Sequence, residues 1–490
     1  MKKINIFLLG LFIIGLSSCK KFLDIKPSNS GDSDLAIQTP ADAQVMVNGI
    51  MRTMTSADYY GRNFLLYADA KGGDFTIFSQ GRGLDGLYTF NHSPTTGSNS
   101  GFWSQIYYSI LQTNNLLENI NKLEASGATG FASAKGQALT ARAIMYFDLV
   151  RLYGKSYDDD KTSFGVPIVL TKLTSDAQPL RATVEQNYTQ ILKDLKDAAP
   201  LLSKAKAKGY INYYGNLATQ ARVYLYMKDN VNSLKAAEEI INAPGSIYTL
   251  YTNANWVSSW TTEAGSESIF ELGVVPLEND LTTGSLGFYH RRKAHGASTA
   301  LGWFTTSDYF QTRLKQDPAD VRWGIMSYDE AVTAPINTRM GALYKYSGSV
   351  ALAGDGKASP TAVNIKVIRL SEIYLIAAEA VLPTNPAQAA IYLNAIRKRS
   401  PNLAAATAAT VSIDMILDER SKELVGEGHR FFDMIRLNKS ITFNDELGSI
   451  PATNRTKTID RTFFKTRLPI SQAEINANPG LKAQQNQGYQ

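Results

Sequence analysis

Residues 368–399 read IRLSEIYLIAAEAVLPTNPAQAAIYLNAIRKR, and this stretch decides the fold. Its first half repeats apolar residues at spacings of three and four, which is typical of the buried face of a helix. These residues are Leu370, Ile373, Tyr374, Ala377, Ala378 and Val381. Pro383 and Pro386 interrupt the run, and a second helical run follows from Ala387 to Arg399. The stretch therefore predicts two helices joined by a short turn.

The same plan occurs earlier in the chain. A helical run from Leu217 to Met227 is followed by Asp229 and Asn230, and a second run extends from Leu234 to Ile241. Helix pairs of this kind resemble tetratricopeptide repeats, whose period is about 34 residues. The repeats here are degenerate and are separated by long insertions. The predicted fold class is therefore predominantly α, with degenerate tetratricopeptide-like helix pairs packed against a loop-rich region with a few short strands.

Two regions depart from the helical pattern. Residues 58–101 are rich in Gly, Asn, Ser and aromatic residues, and residues 243–366 contain four of the five Trp residues. The second region includes short β-type runs such as Ser268–Leu272. Long irregular segments within a compact protein often carry function. We therefore expect the ligand site in these two insertions.

The first 18 residues have the pattern of a secretory signal peptide. Lys2 and Lys3 precede an apolar run from Ile4 to Leu16, which is too short to span a bilayer. Leu16-Ser-Ser-Cys19 then matches a bacterial lipobox, and Cys19 is the only cysteine in the chain. The pattern predicts cleavage before Cys19, lipidation of its thiol, and a polar tether over residues 19–38.

The composition excludes several classes of function. The chain has 490 residues and a formal net charge of +6, which is too small and too dispersed to indicate a nucleic-acid partner. A single cysteine excludes an internal disulfide framework. The four histidines show no metal-ligand spacing, so we expect neither a metal site nor a cofactor.

The sequence also lacks the marks of a catalyst. It has no GxSxG motif and no cysteine available as a nucleophile. Glu419, Glu423 and Glu427 are spaced by four, with Arg420 and Arg430 nearby, which is more typical of a structural ion-pair network than of a glycosidase carboxylate pair. We therefore expect a protein that is not an enzyme.

Several segments together resemble the SusD/RagB family of nutrient-uptake outer-membrane lipoproteins. The mature start from Cys19 to Pro27 resembles the family's opening, and Trp103–Ile120 resembles its first long helix. The blocks 141–168, 368–397 and 419–436 follow in family order. The end of the chain, from Leu468-Pro469-Ile470 to Gly488-Tyr489, resembles the family's terminus.

The resemblance implies a single α-helical domain over residues 39–490, with insertions near 58–101 and 243–366. It also implies a lipid-anchored location on the outer membrane, facing the extracellular side. The partners implied are a SusC-like TonB-dependent β-barrel transporter and a glycan ligand. The function implied is non-catalytic capture of oligosaccharide and its delivery to that transporter.

The ligand-contacting loops of the family vary, so the site residues are predicted from chemistry. Sugar rings stack on exposed aromatic side chains, and sugar hydroxyls pair with polar groups. The expected site residues are Arg82, Tyr88, Phe90 and His92 from the first insertion, and Tyr289, His290 and Trp303 from the second. Ordinary core packing is the competing interpretation for each aromatic residue. Trp256 and Trp260, spaced by four, are expected to be buried.

Three other functions stay open at the level of sequence. An oligopeptide- or siderophore-binding lipoprotein of the same uptake type would share every scaffold feature. A lipid-anchored glycosidase would be revealed by hydrolysis of a candidate glycan. A structural repeat protein that holds partner proteins would present a groove on its inner helices in place of an aromatic patch on its loops.

Overall fold

The computed structural model describes residues 37–81, 83–96, 101–277, 284–290, 302–328, 339–346, 348 and 362–490. Helices dominate these residues. The α-helices are α1 Pro40–Met54, α2 Asn63–Lys71, α3 Asp85–Thr89, α4 Gly101–Ala125, α5 Ala132–Tyr153, α6 Tyr157–Asp160, α7 Val184–Ala198, α8 Tyr213–Tyr226, α9 Asn230–Ile241, α10 Asn253–Trp256, α11 Leu286–His290, α12 Asp308–Leu314, α13 Leu370–Val381, α14 Pro386–Arg397, α15 Ile413–Glu423, α16 Arg430–Arg436 and α17 Gln472–Ala477. The predicted fold class is confirmed.

The loop-rich part of the molecule contains short strands. They are β1 Phe75–Ile77, β2 Ser268–Leu272, β3 Phe304–Thr306, β4 Met326–Ser327, β5 Ala342–Leu343, β6 Ile365–Arg369, β7 Ile441–Thr442 and β8 Thr458–Ile459. They form antiparallel two-stranded sheets in the pairs β1–β3, β2–β6, β4–β5 and β7–β8. In the first pair Phe75 lies opposite Thr306, so the pairing of β1 with β3 joins the two insertions, which are more than two hundred residues apart in sequence.

The long helices pack one on the next. α4 packs on α5, α5 on α7, α8 on α9, α9 on α13, and α13 on α14. The two helix pairs predicted from the sequence, α8–α9 and α13–α14, are thus adjacent in the stack. The small residues Ala236 and Ala237 are buried, as the close approach of these helices requires.

Local sequence explains where the helices begin. Thr39 caps α1 by accepting a hydrogen bond from the Asp42 amide, while Asp42 bonds back to the Thr39 amide and Pro40 occupies the first turn. Thr183 and Gln186 form the same reciprocal cap at α7. Each cap satisfies amides that would otherwise lack partners in the first turn.

Helix α5 is the centre of the stack. Almost all of its side chains are buried, because α1, α4 and α7 cover different faces of it. Arg142 of α5 nevertheless retains its charge partner, since it donates to both carboxylate oxygens of Asp194 in α7 at 2.7 and 2.8 Å. Within the described residues, no helix has both the length and the apolar character needed to cross a membrane.

Candidate functional site

The aromatic residues predicted in the first insertion are buried. Tyr88 donates a hydrogen bond of 2.8 Å to Asp445, and its ring packs edge-on against Phe443. Phe90 is fully buried, and His92 is almost as well enclosed. The prediction that these side chains face solvent is wrong, because the segment around Asp445 covers Tyr88 and Phe90, and Tyr489 packs against His92. Arg82 lies outside the described residues.

The residues predicted in the second insertion are buried as well. His290 stacks on Tyr346 with ring centroids 6.0 Å apart and also packs against Phe75 of β1. Trp303 is 2% exposed and directly precedes β3. Tyr289 is enclosed beneath the Arg62 guanidinium, 5.5 Å from its ring centre. The prediction of an exposed aromatic surface is wrong here too, because β3 pairs with β1 and the two insertions cover each other's rings.

Burial also fixes the charge of the two histidines. Desolvation lowers the pKa of His290 to about 3. The pKa of His92 is lowered further, by burial and by the nearby Lys71. Both imidazoles are therefore neutral at pH 7, and neither supplies a cation for an acidic sugar.

Of the predicted side chains in the described residues, His92 lines a cavity. The cavity measures about 400 Å³, and Trp103 and Tyr153 form part of its wall. An open depression of about 950 Å³ adjoins it and shares Pro94, Gln472 and Asn476 with it. We call the two together the terminal groove, formed by residues 92–96 on one side and 468–490 on the other.

Hydrogen bonds hold the rim of the terminal groove, one of them between its two sides and the others within each side. The Gln472 amide donates to the Pro94 carbonyl at 2.7 Å, where α17 begins. The hydroxyls of Ser93 and Thr96 lie 2.7 Å apart, and Gln472 donates to Asn476 at 2.9 Å. These bonds position a row of hydroxyl and amide groups along the groove without committing all of their donors and acceptors.

The terminal groove is close to neutral. Among the described residues that line it, Lys482 carries the only charged side chain. Trp103 contributes an aromatic wall and bonds to Glu474, whose pKa is raised by burial. The Trp103 ring is buried, however, so the half-buried Tyr489 ring is the aromatic surface of the lining that a sugar ring can reach. The uncharged hydroxyl and amide groups beside it can bond to sugar hydroxyls.

A smaller cavity of about 220 Å³ lies where α1 ends. Ser56 and Gly61 line it from that end, Ser285 from the segment leading into α11, and Tyr346 from the strand region. The Tyr346 hydroxyl is already committed to the Gly426 carbonyl. The cavity therefore combines polar side chains such as Arg52 and Ser56 with apolar ones, and it is smaller than the terminal groove.

The three glutamates considered as possible catalytic groups form a buried ion-pair network, as predicted. Glu419 pairs with Arg322 at 2.7 Å, and Glu427 pairs with both Arg369 and Lys345. Arg420 was expected to belong to this network. It pairs instead with Asp433 at 2.8 Å. Glu427 also lies beyond the end of α15.

This network is unsuited to acid catalysis. Arg369 and Lys345 lower the pKa of Glu427 to about 2, in spite of the opposing effect of burial, so its carboxylate carries no proton to donate at neutral pH. Trp256 and Trp260 pack over the cations of the network and are buried, as predicted. In the described parts of the chain, no group of three or more His, Cys, Asp or Glu side chains could hold a metal ion.

Sequence reasoning missed the terminal groove because its two sides are almost 400 residues apart. In the sequence, Leu468-Pro469-Ile470 stands out only as part of the segment that resembles the family's terminus, and residues 93–96 match no binding motif. The available signal was compositional: Gln and Asn are frequent between residues 472 and 490.

Comparison with known proteins completes the description of the site. A model of the SusD family matches residues 278–489, and a model described as starch-binding associating with outer membrane matches residues 21–225. A solved SusD superfamily protein from Bacteroides thetaiotaomicron is 32% identical, with a TM-score of 0.81 over 90% of this chain and 99% of that chain.

Two more distant proteins are also similar to this chain. A solved laminarin-binding SusD-like protein is 24% identical, with a TM-score of 0.70 over 92% of this chain and 99% of that one. A SusD-like protein from Formosa agariphila is 24% identical over 482 residues, which cover 89% of this chain and 90% of that protein. The resemblance deduced from the sequence is thereby confirmed.

Proposed function

Because this chain belongs to the SusD family, we propose that it is a non-catalytic lipoprotein that captures oligosaccharide in the terminal groove and delivers it to a TonB-dependent transporter. The observation that supports the binding role is the lining of the groove: neutral hydroxyl and amide groups beside the half-buried Tyr489 ring. This chemistry complements a sugar, whose ring is apolar on its faces and whose edge carries hydroxyls.

The nature of the relatives favours a carbohydrate over a peptide. One matched family model is described as starch-binding, and one structural neighbour binds laminarin. Neutral glycans of this type need hydrogen bonds and stacking, and they gain little from charged groups. The near-neutral lining of the terminal groove fits that requirement.

Direct binding measurements test the proposal. Calorimetry of the protein without its lipid anchor, against a panel of neutral glucans and of oligopeptides, should give heat of binding with a glucan and none with the peptides. Gln472→Ala and Asn476→Ala should each weaken glucan binding about fivefold, as the loss of one hydrogen bond does. Gln487→Ala is the matched control, because this exposed amide lies in the same segment and outside the groove lining.

The result that overturns the proposal is equally specific. If Gln472→Ala and Asn476→Ala both bind the glucan as the parent does, the terminal groove is not the site. If peptides bind and glucans do not, the ligand class is wrong. Chromatography of glucan incubated with pure protein should show no new products, and steady hydrolysis would establish an enzyme.

The proposed delivery role requires a partner, because binding alone does not move a ligand across a membrane. A lipid anchor at Cys19 would hold the protein at the outer membrane, facing the extracellular side, and a β-barrel of the TonB-dependent type would supply the channel. The outer-membrane association named in the family description supports this arrangement.

Affinity purification from membranes in mild detergent should recover such a barrel together with this chain. Repeated recovery of the lipoprotein alone, at native expression levels, would count against the partner.

A further inference from the structure

Lys71, at the last position of α2, is a lysine with no exposed surface. Its ammonium nitrogen lies 3.5 Å from the centre of the Phe90 ring and 4.7 Å from that of Tyr67. Tyr67 precedes Lys71 by one helical turn, so both side chains share one face of the helix. The two aromatic rings therefore enclose the amine on at least two sides.

The polar atoms at this place lack acceptors. Among the described residues, neither the Lys71 nitrogen nor the Tyr67 hydroxyl has a hydrogen-bond partner. Both groups can donate hydrogen bonds, and an ammonium group can do nothing else. Buried polar groups in folded proteins are nearly always paired, so two unpaired donors on one helix face require an explanation.

The surrounding charges have the same sign as Lys71. Lys465 and Arg455 are the charged groups that act on its pKa, and both lower it. Arg455 is balanced by Asp445 through bonds of 2.7 and 3.0 Å, but Lys465 bonds only to the Phe90 carbonyl and to Asn454 among its described partners. His92, whose pKa is lowered in part by Lys71, adds no negative charge.

Interaction with the Phe90 ring stabilises an ammonium group only in part, since an aromatic ring is a weak substitute for water or a carboxylate. A group that accepts hydrogen bonds and carries negative charge would satisfy both the donors and the excess of positive charge. We propose that Lys71, with Tyr67 and Phe90 around it, forms a buried binding site for a small monovalent anion of the size of chloride.

Burial restricts the size of this ligand. The Lys71 side chain is completely enclosed, which favours a single-atom anion over a larger organic one. The terminal groove lies nearby, because the Phe90 ring is 6.2 Å from the ring of His92, which lines the groove. The proposal does not depend on the groove binding a glycan.

Anion binding at this site should be linked to a proton. Burial and the neighbouring cations lower the pKa of Lys71, and a bound anion opposes both effects by stabilising the ammonium form. Binding therefore takes up a proton wherever the free site holds a neutral amine. As the pH rises towards the ordinary lysine pKa, the ammonium form becomes harder to maintain and the effect of the anion should fade.

The test is the melting temperature of the protein without its lipid anchor. It is measured while sodium methanesulfonate is replaced stepwise by sodium chloride at constant ionic strength. At pH 7 the melting temperature should rise with the logarithm of the chloride concentration above the dissociation constant, reaching a gain of about 1 to 2 °C once chloride is ten times that constant. At pH 10 the rise should be smaller. Lys71→Met fills the space between the aromatic rings without a charge and should abolish the rise. Lys439→Met, at a half-buried surface lysine paired with Asp414, is the control and should keep it.

Two results would overturn the anion site. One is equal melting temperatures of the parent protein in the two salts at pH 7. The other is an unchanged chloride effect in Lys71→Met. If that variant does not fold, ³⁵Cl line broadening with the parent protein decides the matter: broadening that is lost between pH 7 and pH 10 supports the site, and broadening that does not change with pH refutes it.

Discussion

Arg369 and Glu427 form a buried, two-pronged ion pair, with Nε bonded to Oε2 and Nη2 to Oε1, each at 2.8 Å. Arg369 ends β6 and directly precedes α13, while Glu427 lies in the turn between α15 and α16. Lys345 approaches the same carboxylate at 2.6 Å. One side chain thus ties together three segments that are distant in sequence.

Removing the charge of Glu427 should therefore be costly. We expect Glu427→Gln to lose about 3 to 5 kcal/mol of unfolding free energy at pH 7, because two buried cations lose their shared counterion. Urea unfolding measures this loss. The control is Asp197→Asn in the exposed pair with Lys193, which should change stability by less than about 1 kcal/mol. Equal effects of the two substitutions would contradict the structural role of the pair.

The same pair predicts a dependence on acid. The folded pKa of Glu427 is about 2, below its unfolded value, so its stabilising contribution is present above about pH 4.5 and is lost as the pH falls towards 2. The difference in stability between the parent protein and Glu427→Gln should shrink over this window. Urea titrations at pH 7, 4 and 3 would show it, and a constant difference would disagree with the cited pKa.

Trp303 should behave as a core residue. It is 2% exposed, so Trp303→Ala should lower the unfolding free energy by about 3 to 5 kcal/mol. The exposed Tyr108 offers a matched aromatic control, and Tyr108→Ala should have an effect below about 1 kcal/mol. Glucan affinity of the folded Trp303→Ala protein should be unchanged. Weaker binding with undiminished stability would place this ring at the ligand site after all.

A second pH effect is expected from His290, which is neutral in the folded protein, whereas Glu427 is charged. Its folded pKa of about 3 lies below the ordinary value near 6.5, so only the unfolded chain takes up a proton between these values. Stability should fall as the pH drops through this window, by roughly 2 kcal/mol between pH 6.5 and 5 for this residue.

Replacement by a ring that does not titrate isolates the contribution of His290. His290→Phe should lose less stability than the parent protein when the pH is lowered from 7 to 5. His429, whose pKa is about 4, remains in both proteins and accounts for part of the residual slope. Parallel stability curves for the two proteins would show that His290 is not responsible.

Cys19 predicts membrane attachment. Cys19→Ala should move the protein from the membrane fraction to the soluble fraction, because the acyl chains would have no thiol to modify. Ser18→Ala keeps a small residue in the lipobox and should remain in the membrane fraction. Fractionation followed by immunoblotting distinguishes the two, and membrane retention of Cys19→Ala would refute the anchor.

Much of the helical scaffold could be predicted from local sequence. The pairs α8–α9 and α13–α14 follow from apolar residues spaced by three and four, since a helix must bury one face. Such signals lie within a dozen residues, so they need no knowledge of the remaining chain.

The sequence by itself determined the helix pairs, the family resemblance and the lipobox pattern, because each depends on residues close together in the chain or on the order of short blocks. Only the tertiary structure decided which aromatic side chains are buried and where a ligand can enter. Trp303 and Phe90 are enclosed by segments far away in sequence, through the pairing of β1 with β3 and the packing around Asp445. Exposure is a property of that long-range packing, and composition alone cannot distinguish an aromatic residue that stacks on a sugar from one that fills a core.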